Sequence, residues 1–182
     1  MRILVAYSSK HGATLGIAER IADGLSVAGH DADARAAAGV RDAADYDAYV
    51  IGSAAYLGHW QKDAANFLRR NASLLAAHPT WLFSSGPLGS QQADAQGRDP
   101  RVAAEPKEIP EFRELISPRD HRVFFGALDP GALGLRDRVI RTLPAGRALL
   151  PEGDFRDWQE IDGWVEDIAA ELAHLPERNG AA

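Results

Sequence analysis

The sequence predicts an α/β fold: a doubly wound, five-stranded parallel sheet with strand order 2-1-3-4-5 and helices on both faces. Two observations predict it. Short, continuous apolar runs, typical of strands buried on both faces, recur along the chain. Between them lie segments with apolar residues every three or four positions, the spacing of amphipathic helices. Ligands bind such sheets beyond the carboxyl ends of the strands.

The N-terminal segment predicts a strand, a turn and a helix. Residues 3–6 are a continuous apolar run and predict the central strand, and a polar turn follows at residues 7–14. The apolar stripe of the next helix is Ala18, Ile21, Ala22 and Leu25. Gly29 is the predicted stop signal of this helix. The polar turn is therefore expected between a buried strand and a helix N-terminus.

This turn has the composition of a phosphate site. A helix N-terminus presents unpaired N–H groups and a partial positive charge, which favour an anion. Gly12 allows a close approach of the backbone, and Lys10 supplies a charge. Hydroxyl groups come from Ser8, Ser9 and Thr14. The turn is neither a Walker loop nor a Gly-x-Gly-x-x-Gly fingerprint. An ordinary turn whose hydroxyls cap the helix is the alternative, and these residues alone leave both interpretations open.

Three more strands are predicted before residue 90. Residues 31–36 alternate weakly, as in a short edge strand, and residues 48–53 and 80–85 are apolar runs typical of buried strands. A loop is expected at residues 53–60 and a turn at residues 86–89. Because parallel strands end at the same edge, both are expected to lie near the polar turn.

The remaining elements are predicted from apolar spacing. A helix closed by Pro79 has the apolar residues Trp60, Ala64, Phe67, Leu68, Leu74 and Leu75. A polar, proline-bearing insert follows at about residues 90–120, and inside it a short helix has the apolar face Phe112, Leu115 and Ile116. The last strand is expected at residues 122–128 and another helix at about residues 133–143. The final helix opens at residues 154–157, with the stripe Trp158, Ile161, Trp164, Val165, Ile168 and Leu172.

Composition excludes several functions. The chain has 20 Lys and Arg against 26 Asp and Glu, a formal charge of −6, which argues against nucleic-acid binding. It has no cysteine, which excludes disulfides and thiolate sites, and its six histidines show no helical metal-ligand spacing. Without a membrane-length apolar stretch or a signal peptide, we expect a cytoplasmic protein. One domain is expected at residues 1–175, with a flexible tail at residues 176–182.

Four segments resemble a known family. Residues 3–14 resemble the FMN-phosphate turn of flavodoxin-domain proteins. Residues 50–59 resemble the second flavin loop of the branch that includes the menaquinone-dependent protoporphyrinogen oxidases. Residues 125–129 and 154–162 also resemble segments of that branch, which carries an insert after its third buried strand. The resemblance implies a flavodoxin-like fold and FMN as the cofactor.

The resemblance also implies which residues bind FMN. The predicted set covers the polar turn and the two loops after the buried strands: Ser9, Lys10, His11, Gly12, Ala13, Thr14, Ser53, Ala54, Ala55, Tyr56, Ser85, Gly86, Pro87, Leu88 and Gly89. Backbone N–H groups from Ser9 to Thr14 are expected to hold the phosphate, with the hydroxyls of these two residues. His11 stands where electron carriers of the family usually have a threonine, so an imidazole replaces a hydroxyl.

The flavin ring is expected between the loops at residues 53–60 and 85–89. Tyr56 is the first candidate to stack on it and Trp60 the second; the alternative for Trp60 is a core residue at the start of its helix. Backbone N–H groups of Ala54, Ala55 or Gly86 are expected near the flavin N5 and O4 atoms. No catalytic acid, base or nucleophile and no metal ligand stands out.

The first functional hypothesis is an FMN-dependent oxidoreductase, similar to protoporphyrinogen oxidase, that passes electrons from a reduced donor to a quinone, porphyrinogen or similar acceptor. The expected partner is a redox protein or a small-molecule electron acceptor, without nucleic acid or an integral membrane segment. The insert favours this hypothesis because it could wall a substrate pocket. The alternatives are an electron carrier without its own substrate and a flavin-free regulatory or binding module. Donor, acceptor and oligomeric state stay open.

Overall fold

The computed structural model describes residues 1–89, 97, 99–129, 131 and 151–175. The strands are β1 (Arg2–Ser8), β2 (Asp31–Ala36), β3 (Ala48–Tyr56), β4 (His59–Trp60), β5 (Thr80–Ser85), β6 (His121–Phe124), β7 (Ala127–Leu128) and β8 (Gly153–Asp154). The helices are α1 (Ala13–Val27), α2 (Lys62–Arg70), α3 (Ala72–Ala76), α4 (Pro100–Ala103), α5 (Ile109–Ile116) and α6 (Trp158–Ala173). A short 3-10 helix follows β2 at Ala37–Gly39.

The main sheet has the order β2-β1-β3-β5-β6, and each neighbouring pair along this path is parallel. β4 lies off this path and pairs antiparallel with Ala55 and Tyr56, the last two residues of β3. Counted over the predicted strands alone, the order is 2-1-3-4-5, so the predicted topology is confirmed. The direction of winding reverses between β1 and β3, and the carboxyl ends of these strands therefore flank the switch point.

Helices cover both faces of the sheet because successive side chains of a strand point to opposite sides. In β1, Leu4 and Ala6 belong to the hydrophobic cluster that includes residues of α2 and α5. Ile3 and Val5 belong to the cluster that includes residues of α1 and α6. All four side chains are fully buried. A continuous apolar run is thus the sequence pattern of a strand between two helical layers.

Helix α1 has a glycine in the left-handed region just beyond each end. Gly12, before its first residue, has φ 89°, and Gly29, after its last turn, has φ 91°. At the C-terminus, the N–H of Gly29 donates to the carbonyl of Ser26, and the N–H of His30 donates to that of Leu25. These two bonds form a Schellman motif, which satisfies carbonyls that the helix leaves unpaired. Gly29 is confirmed as the stop signal.

The prediction of a loop at residues 53–60 is wrong, because this segment is a β-hairpin. β3 continues to Tyr56, and the chain turns through Leu57 and Gly58 into β4. Both turn residues have positive φ, 54° and 76°, as two-residue hairpins require. Leucine is rare at such a position, since its Cβ crowds the backbone, so residue 57 carries no turn signal.

The next helix begins two residues later than the pattern indicates. Trp60 lies on β4, 4% exposed, so it is a core residue but not the start of a helix. The predicted single helix is two, α2 and α3, separated at Asn71. The side-chain Nδ2 of Asn71 donates to the carbonyl of Phe67 at 2.8 Å. Such side-chain bonds to the backbone compete with helix continuation.

The described part of the insert contains two helices, α4 and α5, and only the second was expected. The buried face of α5 is Ile109, Phe112 and Ile116. Leu115 was assigned to that face but is 42% exposed. The spacing of residues 109, 112 and 116 makes one stripe, whereas position 115 lies beside it.

The last predicted strand is two strands, β6 and β7, with a break at Phe125 and Gly126. Gly126 leaves the main sheet: its N–H donates to the carbonyl of Pro87 at 3.0 Å, and its carbonyl accepts from the N–H of Phe155 at 3.1 Å. β7 then pairs with β8 in a separate antiparallel ribbon. The break brings residues 126–128 to the carboxyl edge of the main sheet.

Helix α6 closes the second layer. Asp157 caps it by accepting from the N–H groups of Gln159 and Glu160. The predicted stripe is buried at Ile161, Trp164, Val165, Ile168 and Leu172. None of the described helices combines the length and apolar character needed to span a bilayer. The helix expected at residues 133–143 and the tail at residues 176–182 lie outside the described residues.

Candidate functional site

A cleft opens at the carboxyl edge of the main sheet, between the polar turn, the β3–β4 hairpin and the segment after β5. Ten of the predicted site residues line it: Lys10, His11, Ala13, Thr14, Ala54, Ala55, Tyr56, Ser85, Gly86 and Leu88. Three residues that the sequence analysis missed also line it: Gly126, Ala127 and Leu128. The walls are mostly apolar, with a few polar groups at one end, as is usual for a small-molecule site.

The polar turn places the start of α1 at the polar end of the cleft. No side chain caps the helix, and Gly12, in the left-handed region, is the residue before it. A Cβ built on Gly12 meets no other atom within 4 Å, so the space in front of the backbone is open. The Ser9 hydroxyl accepts from the Gly12 N–H at 3.0 Å, which holds the turn closed. The geometry is that of an anion site at a helix N-terminus.

The β3–β4 hairpin forms the opposite wall. Tyr56 lies at the end of β3, and the Lys10 ammonium lies 3.5 Å from the centroid of its ring. This is a cation–π contact, and it connects the polar turn to the hairpin. Lys10 was expected to supply a charge to a phosphate; in the structure its Nζ lies over the Tyr56 ring.

Residues 85–88 and 126–128 form the third wall. The Gly86 N–H donates to the carbonyl of Phe124 at 2.9 Å. The Gly86 N–H, one of three expected near the flavin N5 and O4 atoms, thus extends the β5–β6 pairing in the structure. The expectation for Ala54 and Ala55 stays a prediction.

Five predicted residues do not line the cleft: Ser9, Gly12, Ser53, Pro87 and Gly89. The Ser53 hydroxyl is fully buried and accepts from the Gln61 N–H at 2.9 Å, so it ties β3 to the residue after β4. Trp60 is also turned away from the cleft, since its ring centroid lies 5.1 Å from that of Phe112. Tyr56 is thus the hairpin aromatic placed to contact a ring in the cleft.

Arg156 is a further residue near the site that the sequence analysis missed. Its guanidinium lies 4.4 Å from the Trp158 ring, is paired with Asp154, and its Nη1 donates to the carbonyl of Ala13 at 3.4 Å. It crosses α1 at Gly16, where an added Cβ would lie 2.5 Å from Nη1. Arg156 therefore fixes the first turn of α1 against the segment before α6.

A buried polar chain lies behind the hairpin. Ser84 Oγ accepts from Trp60 Nε1 at 2.8 Å and lies 2.9 Å from His121 Nε2. Because the indole only donates, the Ser84 hydroxyl proton is available to the imidazole, and the network assigns the His121 proton to Nδ1, which faces Glu105 at 3.4 Å. Burial, with a smaller effect of Arg113, lowers the pKa of His121 to about 4, and the charges of Glu105 and Asp120 oppose the shift.

We expect His121 to make stability depend on pH. Its pKa is about 4 in the folded chain and 6.5, the ordinary value of histidine, in the unfolded chain, so between these values the unfolded chain binds more protons and the free energy of unfolding rises with pH. The contribution is roughly 2–3 kcal/mol over that window. Urea unfolding at several pH values should show a flatter dependence for His121→Gln. His174→Gln, at the exposed end of α6, is the control, and an unchanged slope in His121→Gln would contradict the assignment.

The residues of the cleft fit FMN. The open start of α1 and the adjacent Lys10 favour a phosphate, and none of the described lining residues is a carboxylate that would repel it. Ala54, Leu88 and Leu128 give apolar walls to a planar ring, and Tyr56 adds an aromatic one. The fit rests on the donors and the walls that the chain itself provides.

Comparison with known protein families gives a match over most of the chain. Residues 4–144 match the family model for the flavodoxin domain. The chain belongs to the flavodoxin-domain family. FMN is the cofactor of this family, so the predicted cofactor is confirmed. The match is to the flavodoxin domain and does not show the narrower protoporphyrinogen oxidase branch.

Solved structures show the same flavodoxin fold. A mutant of the flavodoxin from Pseudomonas aeruginosa covers 95% of this chain and 99% of its own at 14% identity, with a TM-score of 0.58. A flavodoxin from the domain Archaea covers 96% and 100% at 17% identity, with a TM-score of 0.56. The rubredoxin oxygen:oxidoreductase of Desulfovibrio gigas matches 94% of this chain but 36% of its own, at 12% identity and a TM-score of 0.59. No curated protein sequence matches the chain.

Proposed function

We propose that this flavodoxin-domain protein binds FMN in the cleft and transfers electrons from a reduced donor to a quinone, porphyrinogen or similar small acceptor. The observation that carries the proposal is the convergence of three segments on one cleft. The open N-terminus of α1, the Tyr56 hairpin and residues 126–128 meet at the switch point of the sheet. Bound FMN supplies the redox chemistry.

In this proposal, residues of the chain bind FMN and orient its ring. Backbone N–H groups at the start of α1 hold the phosphate, and Gly12 gives it access. Tyr56 covers one side of the ring and Leu88 and Leu128 exclude water from it. The Lys10 ammonium lies 3.5 Å from the centroid of the Tyr56 ring and so connects the polar turn to the hairpin wall. No described side chain of the cleft is assigned a proton-transfer step.

An acceptor with its own binding site is favoured by the insert. The insert lies beside the cleft, because a Cβ on Gly86 would lie 3.8 Å from Cβ of Ala104 and 3.9 Å from Cβ of Ala55. The end of helix α4 is therefore next to Gly86 and Ala55, two residues that line the cleft. The protoporphyrinogen oxidase-like activity and a cytoplasmic location remain part of this proposal.

A carrier without its own substrate is the second candidate. It is favoured by the short flavodoxins that this chain matches over almost their full length. Stepwise reduction distinguishes the two candidates: one-electron steps at separate potentials support the carrier, and a two-electron step with turnover of a quinone supports the enzyme.

The first test is titration of the purified chain with FMN, followed by visible absorption and flavin fluorescence. We expect one FMN per chain and strong quenching. Riboflavin, which lacks the phosphate, is the matched control and should bind at least about tenfold more weakly, because it forms no charge-assisted bonds at α1. Absence of FMN binding would overturn the proposal, and equal binding of riboflavin would overturn the phosphate site.

A further inference from the structure

The β3–β4 hairpin that carries Tyr56 has little stability of its own. It has two residue pairs, Ala55 with Trp60 and Tyr56 with His59. Its apex holds Leu57 in the left-handed region, where a residue with a side chain is strained, and Leu57 is 81% exposed. Short hairpins are marginal in isolation, so contacts from outside must hold this conformation.

The insert supplies several of those contacts through two consecutive residues. The Lys107 N–H donates to the carbonyl of Gly58 at 3.1 Å. Glu108 Oε2 accepts from the Trp60 N–H at 3.2 Å, and Oε1 lies 2.8 Å from Nδ1 of His59. One carboxylate thus contacts the backbone and the side chain of β4.

Glu108 is itself held in place. It precedes α5, whose Ile109, Phe112 and Ile116 are buried in the core, and its side chain is 16% exposed. Burial raises the pKa of Glu108, but the bonds from His59 and the Trp60 N–H outweigh burial, so the pKa lies below its ordinary value. The carboxylate is a fixed acceptor on a rigid element.

We propose that Glu108 is a positioning residue for the flavin cleft: by binding His59 and the Trp60 N–H, it fixes the hairpin that places Tyr56. The inference rests on the proposed FMN binding. It gives the insert a defined role, because the insert braces the cofactor wall from outside. Glu108 acts on the cleft through β4 and the strained turn, without lining it.

The first test replaces the carboxylate and measures the FMN dissociation constant by fluorescence quenching. Glu108→Ala should raise it by at least about tenfold, the effect of losing a buried charged hydrogen bond. The matched control is Glu111→Ala, one turn along α5. Glu111 pairs with Arg69 at 2.7 Å and does not contact the hairpin, so its loss should change the constant by less than about twofold.

The second test is partial rescue by the conservative variant, which a general loss of stability would not produce. In Glu108→Gln the amide oxygen can still accept from the Trp60 N–H, whose bond to Glu108 measures 3.2 Å. The charge-assisted contact with His59 is lost, so the FMN dissociation constant should lie between those of the wild type and of Glu108→Ala.

The outcomes separate the two proposals. If the wild type does not bind FMN, the proposed function fails and this inference fails with it. If the wild type binds FMN and Glu108→Ala binds it equally well, the positioning role alone is overturned. A Glu108→Gln variant that binds FMN no better than Glu108→Ala would also overturn it. Should Glu108→Ala not fold, Glu108→Gln decides: weaker FMN binding than that of the wild type supports the positioning role, and equal binding overturns it.

Discussion

Replacement of Gly12 by valine is expected to abolish FMN binding, with a dissociation constant raised by about 100-fold or more. Gly12 has φ 89°, a conformation that a β-branched residue strongly disfavours. Gly12 directly precedes α1, so a distorted turn there would displace the N–H groups at the α1 N-terminus, where the phosphate is proposed to bind. FMN titration by fluorescence quenching measures the loss.

Gly29 provides the control for this variant. It lies beyond the other end of α1 with φ 91°, and a Cβ there also meets no other atom within 4 Å. Gly29→Val therefore introduces similar backbone strain, about 1–2 kcal/mol, away from the cleft. Both variants should lose similar stability in urea unfolding, and only Gly12→Val should lose FMN. If Gly12→Val binds FMN as the wild type does, the phosphate assignment is wrong.

Replacement of Gly52 by alanine is expected to reduce the free energy of unfolding by about 3 kcal/mol. Gly52 pairs with Phe83 across β3 and β5, and a Cβ would lie 1.9 Å from Cζ of the Phe83 ring. The ring cannot move aside freely, because Phe83 is fully buried and its centroid lies 6.3 Å from those of Phe124 and Trp164. Urea unfolding measures the change.

A double-mutant cycle tests this steric cause. Phe83→Leu shortens the side chain over position 52, so Gly52→Ala should cost at least about 1 kcal/mol less in that background. Gly163→Ala, within α6 and without a neighbour at its Cβ, is the matched control and should stabilise the protein slightly through helix propensity. Additive effects of the two substitutions would show that the ring is not the obstacle.

The polar turn before α1 was predictable because all of its signals are local. The apolar run at residues 3–6, the hydroxyls, Gly12 and the stripe of α1 are contiguous, and each acts within its own element. The strand order followed because buried strands alternate with helices, and short connections leave few topologies. The helix end at Gly29 followed for the same reason, since a left-handed residue after a helix is a property of the local backbone.

The hairpin and the third wall of the cleft were not predictable from local pattern. Leu57 occupies a position where a sequence signal would be glycine or asparagine, and Gly126 leaves the sheet through a bond to Pro87. The wall at Gly126, Ala127 and Leu128 therefore depends on contacts between distant segments. The exposed position of Leu115 similarly depends on which side of α5 meets the core.

By itself, the sequence determined the α/β fold, its strand order and the polar turn before α1, because apolar periodicity and backbone preference act over a few residues. Only the tertiary structure decided which residues support the site. Glu108 reaches β4 from the insert, Arg156 reaches α1 from the segment before α6, and His121 reaches Ser84 across β5 and β6. Each of these contacts joins residues more than 30 positions apart, so no local sequence pattern encodes it. The free energy of such a contact arises only when the folded chain brings both partners together out of water.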